Sequence, residues 1–232
     1  MRKWQLLISL LFITILVINA VDAQRRKKPQ LERFAAGLVI GYGFSQIDGD
    51  DYTGFDRSAP IFGFQVSTQF HEKWSLDVNF TYVHKGANIE SELYDFRVNY
   101  EKDRMIHLTY AEVPVLFKFR PKGTESRLYV EGGLSYGKMI NSDITERVNE
   151  FTEVIFSDIE YNFKKDEVSA VFGFGSAINK DLTIGMRFSY GLNKFYINEN
   201  PITKINPNIY YPKEILFLRN YYISLIVSYR VF

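Results

Sequence analysis

The chain has 232 residues with 28 Lys and Arg against 27 Asp and Glu, and a formal charge of +1 gives nothing to steer it toward nucleic acid. It has no cysteine, which excludes disulfides and thiolate metal sites. A mean hydropathy of −0.15 beside 16% aromatic residues is too polar for a bundle of membrane helices.

The first 23 residues read as a signal peptide. Arg2 and Lys3 precede an apolar run from Leu6 to Ile18, and Val21-Asp22-Ala23 supplies the short residues that cleavage requires, with Gln24 first in the mature chain. The alternative is an uncleaved anchor, which the basic run Arg25 to Lys28 would favour. Against it, the stretch from Trp4 to Ala20 is broken by Gln5, Ser9, Thr14 and Asn19 and is short for ~30 Å of hydrocarbon. No cysteine follows the leader, so this is not a lipoprotein. Cleavage leaves 26 basic and 26 acidic residues, in a basic segment over 24–33 and one domain over 34–232.

From residue 34 onward, apolar side chains recur at every second position. Phe34, Ala36, Leu38, Ile40, Tyr42 and Phe44 alternate with Ala35, Gly37, Val39, Gly41 and Gly43, which predicts a strand with one large greasy face and one small face. A second strand runs over about 61–70, with Phe62, Phe64, Val66 and Phe70 against Gly63, Gln65, Ser67 and Gln69. The third, 73–85, is the most regular: Trp74, Leu76, Val78, Phe80 and Tyr82 against Ser75, Asp77, Asn79 and Thr81. In the fourth, about 105–120, Ile106, Leu108 and Tyr110 have one parity and Val113, Val115, Phe117 and Phe119 the other, so a β-bulge is expected near Ala111 to Pro114. Strands over 127–138, 167–178, 181–193 and 220–232 complete a set of eight.

The connections alternate in length. Long gaps at 47–60, 86–104, 139–166 and 194–219 are separated by short ones at 71–72, 121–126 and 179–180. Aromatic residues gather at strand ends: Tyr42, Phe44, Phe62, Tyr82, Tyr136, Tyr190 and Tyr221 at one, Phe34, Phe70, Trp74, Phe119 and Tyr229 at the other. Two aromatic girdles, an even strand number and long loops on one side only predict an all-β fold, an eight-stranded antiparallel up-and-down transmembrane β-barrel with extracellular long loops. A soluble sandwich or lipocalin-like barrel would put the large apolar face inward. Here the second face is mostly small, as the cramped interior of a small barrel requires.

Several segments resemble the PorT-like outer-membrane β-barrel family. They are Ser45-Gln46-Ile47-Asp48-Gly49-Asp50 with Gly54-Phe55, Tyr82 to Gly86, Tyr110 to Lys118, and Glu131-Gly132-Gly133. The resemblance implies a Gram-negative outer-membrane location, a barrel like the small OmpA-like ones, and contact with outer-membrane lipid and, during biogenesis, the barrel assembly machinery. The family's namesake is linked to a secretion and gliding apparatus. One departure is at the C-terminus: Phe232 is out of phase with the odd-numbered apolar set of the last strand, which points to a bulge near Arg230 or to a terminal residue presented outside the strand.

No catalytic constellation stands out. His71, His84 and His107 sit on different segments without metal-ligand spacing, and the acidic cluster Asp48, Asp50 and Asp51 fails the EF-hand pattern. No nucleophile elbow or phosphate loop is present, so no cofactor and no metal are expected. The inward charges carry more information. Asp77, Glu131 and Arg187 are expected to form a buried lumen network, in which Arg187 bridges Glu131, Asp77 or both, and Arg127, Glu112, Lys118 and Arg230 are further candidates. Such a network would plug the lumen. The reading is therefore a non-enzymatic barrel that anchors loops for envelope structure or for binding an envelope protein. Its alternatives are a subunit of a secretion or gliding complex, a small porin, or a lipid-modifying enzyme at the rim. The long gaps are rich in aromatics (Tyr52, Phe55, Tyr94, Phe96, Phe151, Phe156, Tyr161, Tyr196, Tyr210, Tyr211), which suits recognition. In the third, the alternation over 158–164 predicts a strand extension instead.

Overall fold

The structure is a computed structural model, and it describes residues 34–50, 54–90, 103–147, 156–199 and 215–231. The leader, the 24–33 segment, Phe232 and the loop aromatics Tyr52, Tyr94, Phe96, Phe151, Tyr210 and Tyr211 lie outside the described residues. The strands are β1 (Phe34–Asp48), β2 (Arg57–His71), β3 (Trp74–Glu90), β4 (Asp103–Phe119), β5 (Leu128–Arg147), β6 (Asp166–Ala177), β7 (Leu182–Gly191), the two-residue β8 (Tyr196–Ile197) and β9 (Phe217–Arg230). Consecutive long strands pair antiparallel, and β9 pairs with β1, so eight strands close into a barrel while β8 adds only to β9.

The register fixes the barrel's dimensions. Hydrogen-bonded partners followed from Ala36 through Val66, Val78, Val115, Leu134, Ala170, Tyr190 and Tyr221 return to β1 at Gln46, ten residues from the start. With strands ~4.8 Å apart and tilted by ~40°, eight of them enclose a cylinder of radius about 8 Å. A cylinder of this width is narrow enough for inward side chains to fill.

The outer wall is apolar. Phe34, Ile40, Phe64, Leu134 and Phe172 are all more than half exposed. Aqueous solvent would not tolerate so large a continuous apolar surface; hydrocarbon does. Among the described residues no helix is long and apolar enough to cross a membrane. At the rims, Tyr82 packs on Phe62 with ring centroids 4.9 Å apart, Trp74 on Phe119 at 4.7 Å, and Tyr190 between Phe188 and Tyr221. Tyr42, Tyr136 and Tyr229 point outward about half exposed.

Two expectations need correction. First, β4 carries no phase change: Arg104, Ile106, Leu108, Tyr110, Glu112, Leu116 and Lys118 all point inward and are buried, so one parity faces the lumen throughout. The bulge lies on β5, where Met139 pairs with Tyr110 and Asn141 with Thr109, leaving Ile140 as the extra residue. Pro114 leaves a different mark. It cannot donate to the ladder, and the β3–β4 pairing is interrupted between Val78–Val115 and Thr81–Glu112. Second, the stretch after residue 155 is not strand. A one-turn helix (Phe156–Ile159) and a 3-10 turn (Glu160–Asn162) deliver Phe163 into the barrel mouth, while strand extension occurs on β3 and β5. The β9–β1 pairing is regular through Arg230, so there is no bulge there.

Candidate functional site

The lumen is built in layers from the short-turn end upward. A small polar vestibule, open to solvent, leads in past Arg120, Lys180, Asp181 and Arg230 to Asp77 and Lys118. There the first ion-pair layer begins. Arg187 donates from Nε to Glu131 Oε1 at 2.5 Å and from Nη2 to Glu131 Oε2 at 3.4 Å. Lys118 pairs with Asp77 and lies 3.7 Å from Glu131, which links the carboxylates into one chain. Gln65 Nε2 donates to Asp77 at 3.1 Å, and the Lys118 ammonium sits 4.5 Å from the Tyr129 ring centroid. All four charged side chains are buried. Of the three predicted site residues, Arg187 and Glu131 therefore meet directly, and Asp77 joins them through Lys118.

The backbone register explains the contact. Glu131, Gly173 and Arg187 are partners in one row across β5, β6 and β7. A Cβ on Gly173 would lie 3.0 Å from Glu131 Oε1 and 3.1 Å from Arg187 Cγ, so the glycine leaves the ion pair its room.

A second layer lies higher. Lys85 reaches Glu112 and, at 2.5 Å, Glu167. Tyr222 donates to Glu112 at 3.0 Å; Asn220 Nδ2 donates to Glu167 at 2.6 Å and to Tyr110 Oη at 3.1 Å. The Lys85 ammonium lies 4.7 Å and 5.0 Å from the Tyr110 and Tyr222 ring centroids. Again a glycine stands between the acids, in the row Glu112, Gly137, Glu167. An apolar strip of Val39, Ile61, Val83, Tyr222 and Ile226 lines one wall between the layers.

An apolar cap lies toward the long-loop end. Ile47, Ala87, Ile106, Leu108, Met139, Phe163, Phe195, Tyr196, Ile215 and Leu218 form one buried cluster, with Phe163 edge-on to Phe195 at 5.1 Å. Backbone bonds hold it: Lys164 N to Phe195 O at 2.6 Å, Phe195 N to Leu218 O at 3.0 Å and Met139 N to Lys165 O at 2.7 Å. Tyr196, expected on a recognition surface, is thus a core residue, whereas Tyr161 is exposed and Phe55 partly covers Tyr221.

Sequence reasoning missed Lys85, Glu167, Tyr222 and Asn220. The signal was present, since Lys85 continues the odd set of Asp77, Asn79 and Thr81, and Tyr222 is even on a strand whose lipid face is odd. His84 and His107, distant in sequence, come together on adjacent strands and face outward. Among the described residues no group of three or more His, Cys, Asp or Glu could hold a metal.

The family described as outer membrane protein beta-barrel domain matches residues 22–196. The chain belongs to this family. That membership places it in the Gram-negative outer membrane. No curated protein matches it. Similar solved structures include Ail, the attachment invasion locus protein of Yersinia pestis, at TM-score 0.45 and 14% identity, over 86% of this chain and 99% of that one. OprG from Pseudomonas aeruginosa matches at TM-score 0.41 and 12% identity, over 85% and 96%, and CarO from Acinetobacter baumannii at 0.41 and 15%, over 88% and 100%.

Proposed function

We propose that this protein is a non-enzymatic outer-membrane barrel with a plugged lumen, oriented with its long loops outside and serving envelope structure or the binding of an envelope partner. The observation that supports the reading is the mutual pairing of the buried charged side chains, Arg187 with Glu131, Lys118 with Asp77, and Lys85 with Glu112 and Glu167. Two buried ion-pair layers and an apolar cluster occupy the barrel interior, and the charged side chains of each layer engage one another. Within the family, the segments Tyr82 to Gly86 and Tyr110 to Lys118 support a PorT-like membership. Co-purification from native envelopes tests the partner. Planar-bilayer recording of the refolded chain tests the plug: the expected result is no steady conductance, and a steady ohmic current would overturn it.

A further inference from the structure

In the lower ion-pair layer Lys118 and Arg187 balance Asp77 and Glu131. The mouth beneath it is not balanced. It holds a cavity of about 50 Å³, room for a few water molecules or one small oxyanion. The described residues that line it bring four cations, Lys118, Arg120, Lys180 and Arg230, against two carboxylates, Asp77 and Asp181. Lys118 is committed to Asp77, so the three outer cations share Asp181 alone among the described lining residues.

The backbone aims these groups inward and fixes them. Arg120 N donates to Lys73 O at 2.9 Å, which carries the β3–β4 register one pair beyond the strands and gives Arg120 the inward parity of Glu112, Leu116 and Lys118. Arg230 has the inward parity of Ser224 and Ile226 on β9, and its N–H donates to Asp181 O at 2.7 Å. The turn that carries Lys180 and Asp181 is pinned by Asn179 Oδ1, which accepts from Asp181 N at 2.8 Å and from Leu182 N at 2.7 Å. Arg120 is half-buried and lies within electrostatic range of Arg230, and no hydrogen bond or ion pair joins its guanidinium to another described residue. Two guanidiniums on one small cavity repel each other, and an anion between them turns that repulsion into attraction.

We propose that this mouth is an oxyanion site, in which Arg120, with Arg230 and Lys180 around it, binds a carboxylate or phosphate group that enters from the short-turn side. A guanidinium presents paired N–H donors to two oxygens of one such group. The hydroxyls of Ser75 and Ser228 line the same cavity as further donors. Because the lining points into the barrel, the headgroups of lipids outside the wall do not reach it. The ligand is a dissolved anion or an anionic group on a soluble molecule. Its compartment, the periplasm, rests on the orientation proposed above; the binding itself does not.

Titration calorimetry of the refolded full chain in a non-ionic detergent tests the site. Inorganic phosphate and acetate are each titrated with ionic strength held constant by chloride, and one saturable site per chain is expected. Saturation by phosphate alone assigns a phosphorylated ligand, and saturation by acetate assigns a carboxylate-bearing one. Arg120→Gln should weaken binding at least about tenfold, as the loss of a hydrogen bond between charged groups entails. Ser75→Glu, which builds a carboxylate into the wall one strand from Arg120, should abolish it. Lys122→Gln, on an exposed side chain at the same end but outside the cavity, should leave it unchanged. Folding of each variant is checked by its resistance to unfolding in cold SDS. No saturable binding of either anion, binding unchanged in both Arg120→Gln and Ser75→Glu, or an equal loss in Lys122→Gln would overturn the proposal. Two separate readouts concern the reading of the whole barrel. A steady current with binding intact sinks only the plug, and labelling of Lys180→Cys on whole cells by an impermeant maleimide sinks only the orientation.

Discussion

A buried arginine is an expensive object, and Arg187 shows how a small barrel makes one tolerable. Its guanidinium is matched in bidentate fashion by Glu131, a geometry that lysine could not supply. The two residues sit two strands apart in one row, and their direct contact over the intervening strand needs room at the position between them. Gly173 meets that condition. Removing one partner of a buried pair leaves an uncompensated charge, so Arg187→Ala is expected to lower the unfolding free energy of the refolded barrel by about 3–5 kcal/mol. An unchanged denaturant midpoint would show that the arginine is solvated. Gly173→Val should have a comparable effect with no charge removed, because a Cβ there would lie 2.8 Å from the Met186 carbonyl oxygen and crowd Glu131 Oε1 and Arg187 Cγ. The double replacement Arg187→Met with Glu131→Leu should recover most of the loss, since well-packed apolar residues often substitute for a buried pair at little cost. If all three variants unfolded alike, packing rather than charge matching would govern the layer.

At the scale of single elements, β4 shows what alternation can and cannot reveal. The switch in parity of its apolar residues near Ala111 looks like a bulge, yet the β3–β4 register does not shift there. What changes is the filling of the lumen: polar beside Glu112 and Lys118, apolar beside Ile106 and Leu108, where the cap descends. A two-residue period tells which residues share a face but not what covers that face, and the cap comes from residues 163–218, far along the chain. The lipid-facing sets of β1, β3 and β7 were legible because hydrocarbon is a uniform partner. The inward sets were only partly so, because their partners are other strands: Lys85 and Glu167 meet only once the barrel closes. The third loop misled for a related reason, since Phe163 alternates in phase with Ile159 and Tyr161 but alone of the three is fully enclosed. The cap itself should behave as a core. Phe195→Ala is expected to cost about 3–5 kcal/mol in the same unfolding assay, the usual range for removing a buried ring. Tyr161→Ala, on an exposed side chain, should fall within ~0.5 kcal/mol of the parent. A cap that packs only loosely would give equal and small effects for both.

For the molecule as a whole, the proposed plug would make the layers act as obstructions in series. An ion moving along the axis from the vestibule would meet the Asp77–Lys118–Glu131–Arg187 chain, then the Lys85–Glu112–Glu167 cluster, then the apolar cap. On that reading each obstruction would suffice alone, because a cylinder of radius about 8 Å loses most of its bore to the side chains of one full layer. Conductance should therefore respond to mutation in an all-or-none manner. Replacing Asp77, Lys118, Glu131 and Arg187 together with alanine removes the lower layer without stranding a charge, and this variant is expected to stay silent in planar bilayers. Replacing Lys85, Glu112 and Glu167 with alanine should likewise leave it silent. Combining both sets with Phe163→Ala and Phe195→Ala clears all three levels, and only that chain should carry a steady current that rises with salt concentration. A steady current from either single-layer variant would mean that the remaining obstructions leak, and the lumen would then be a gated path with one principal barrier.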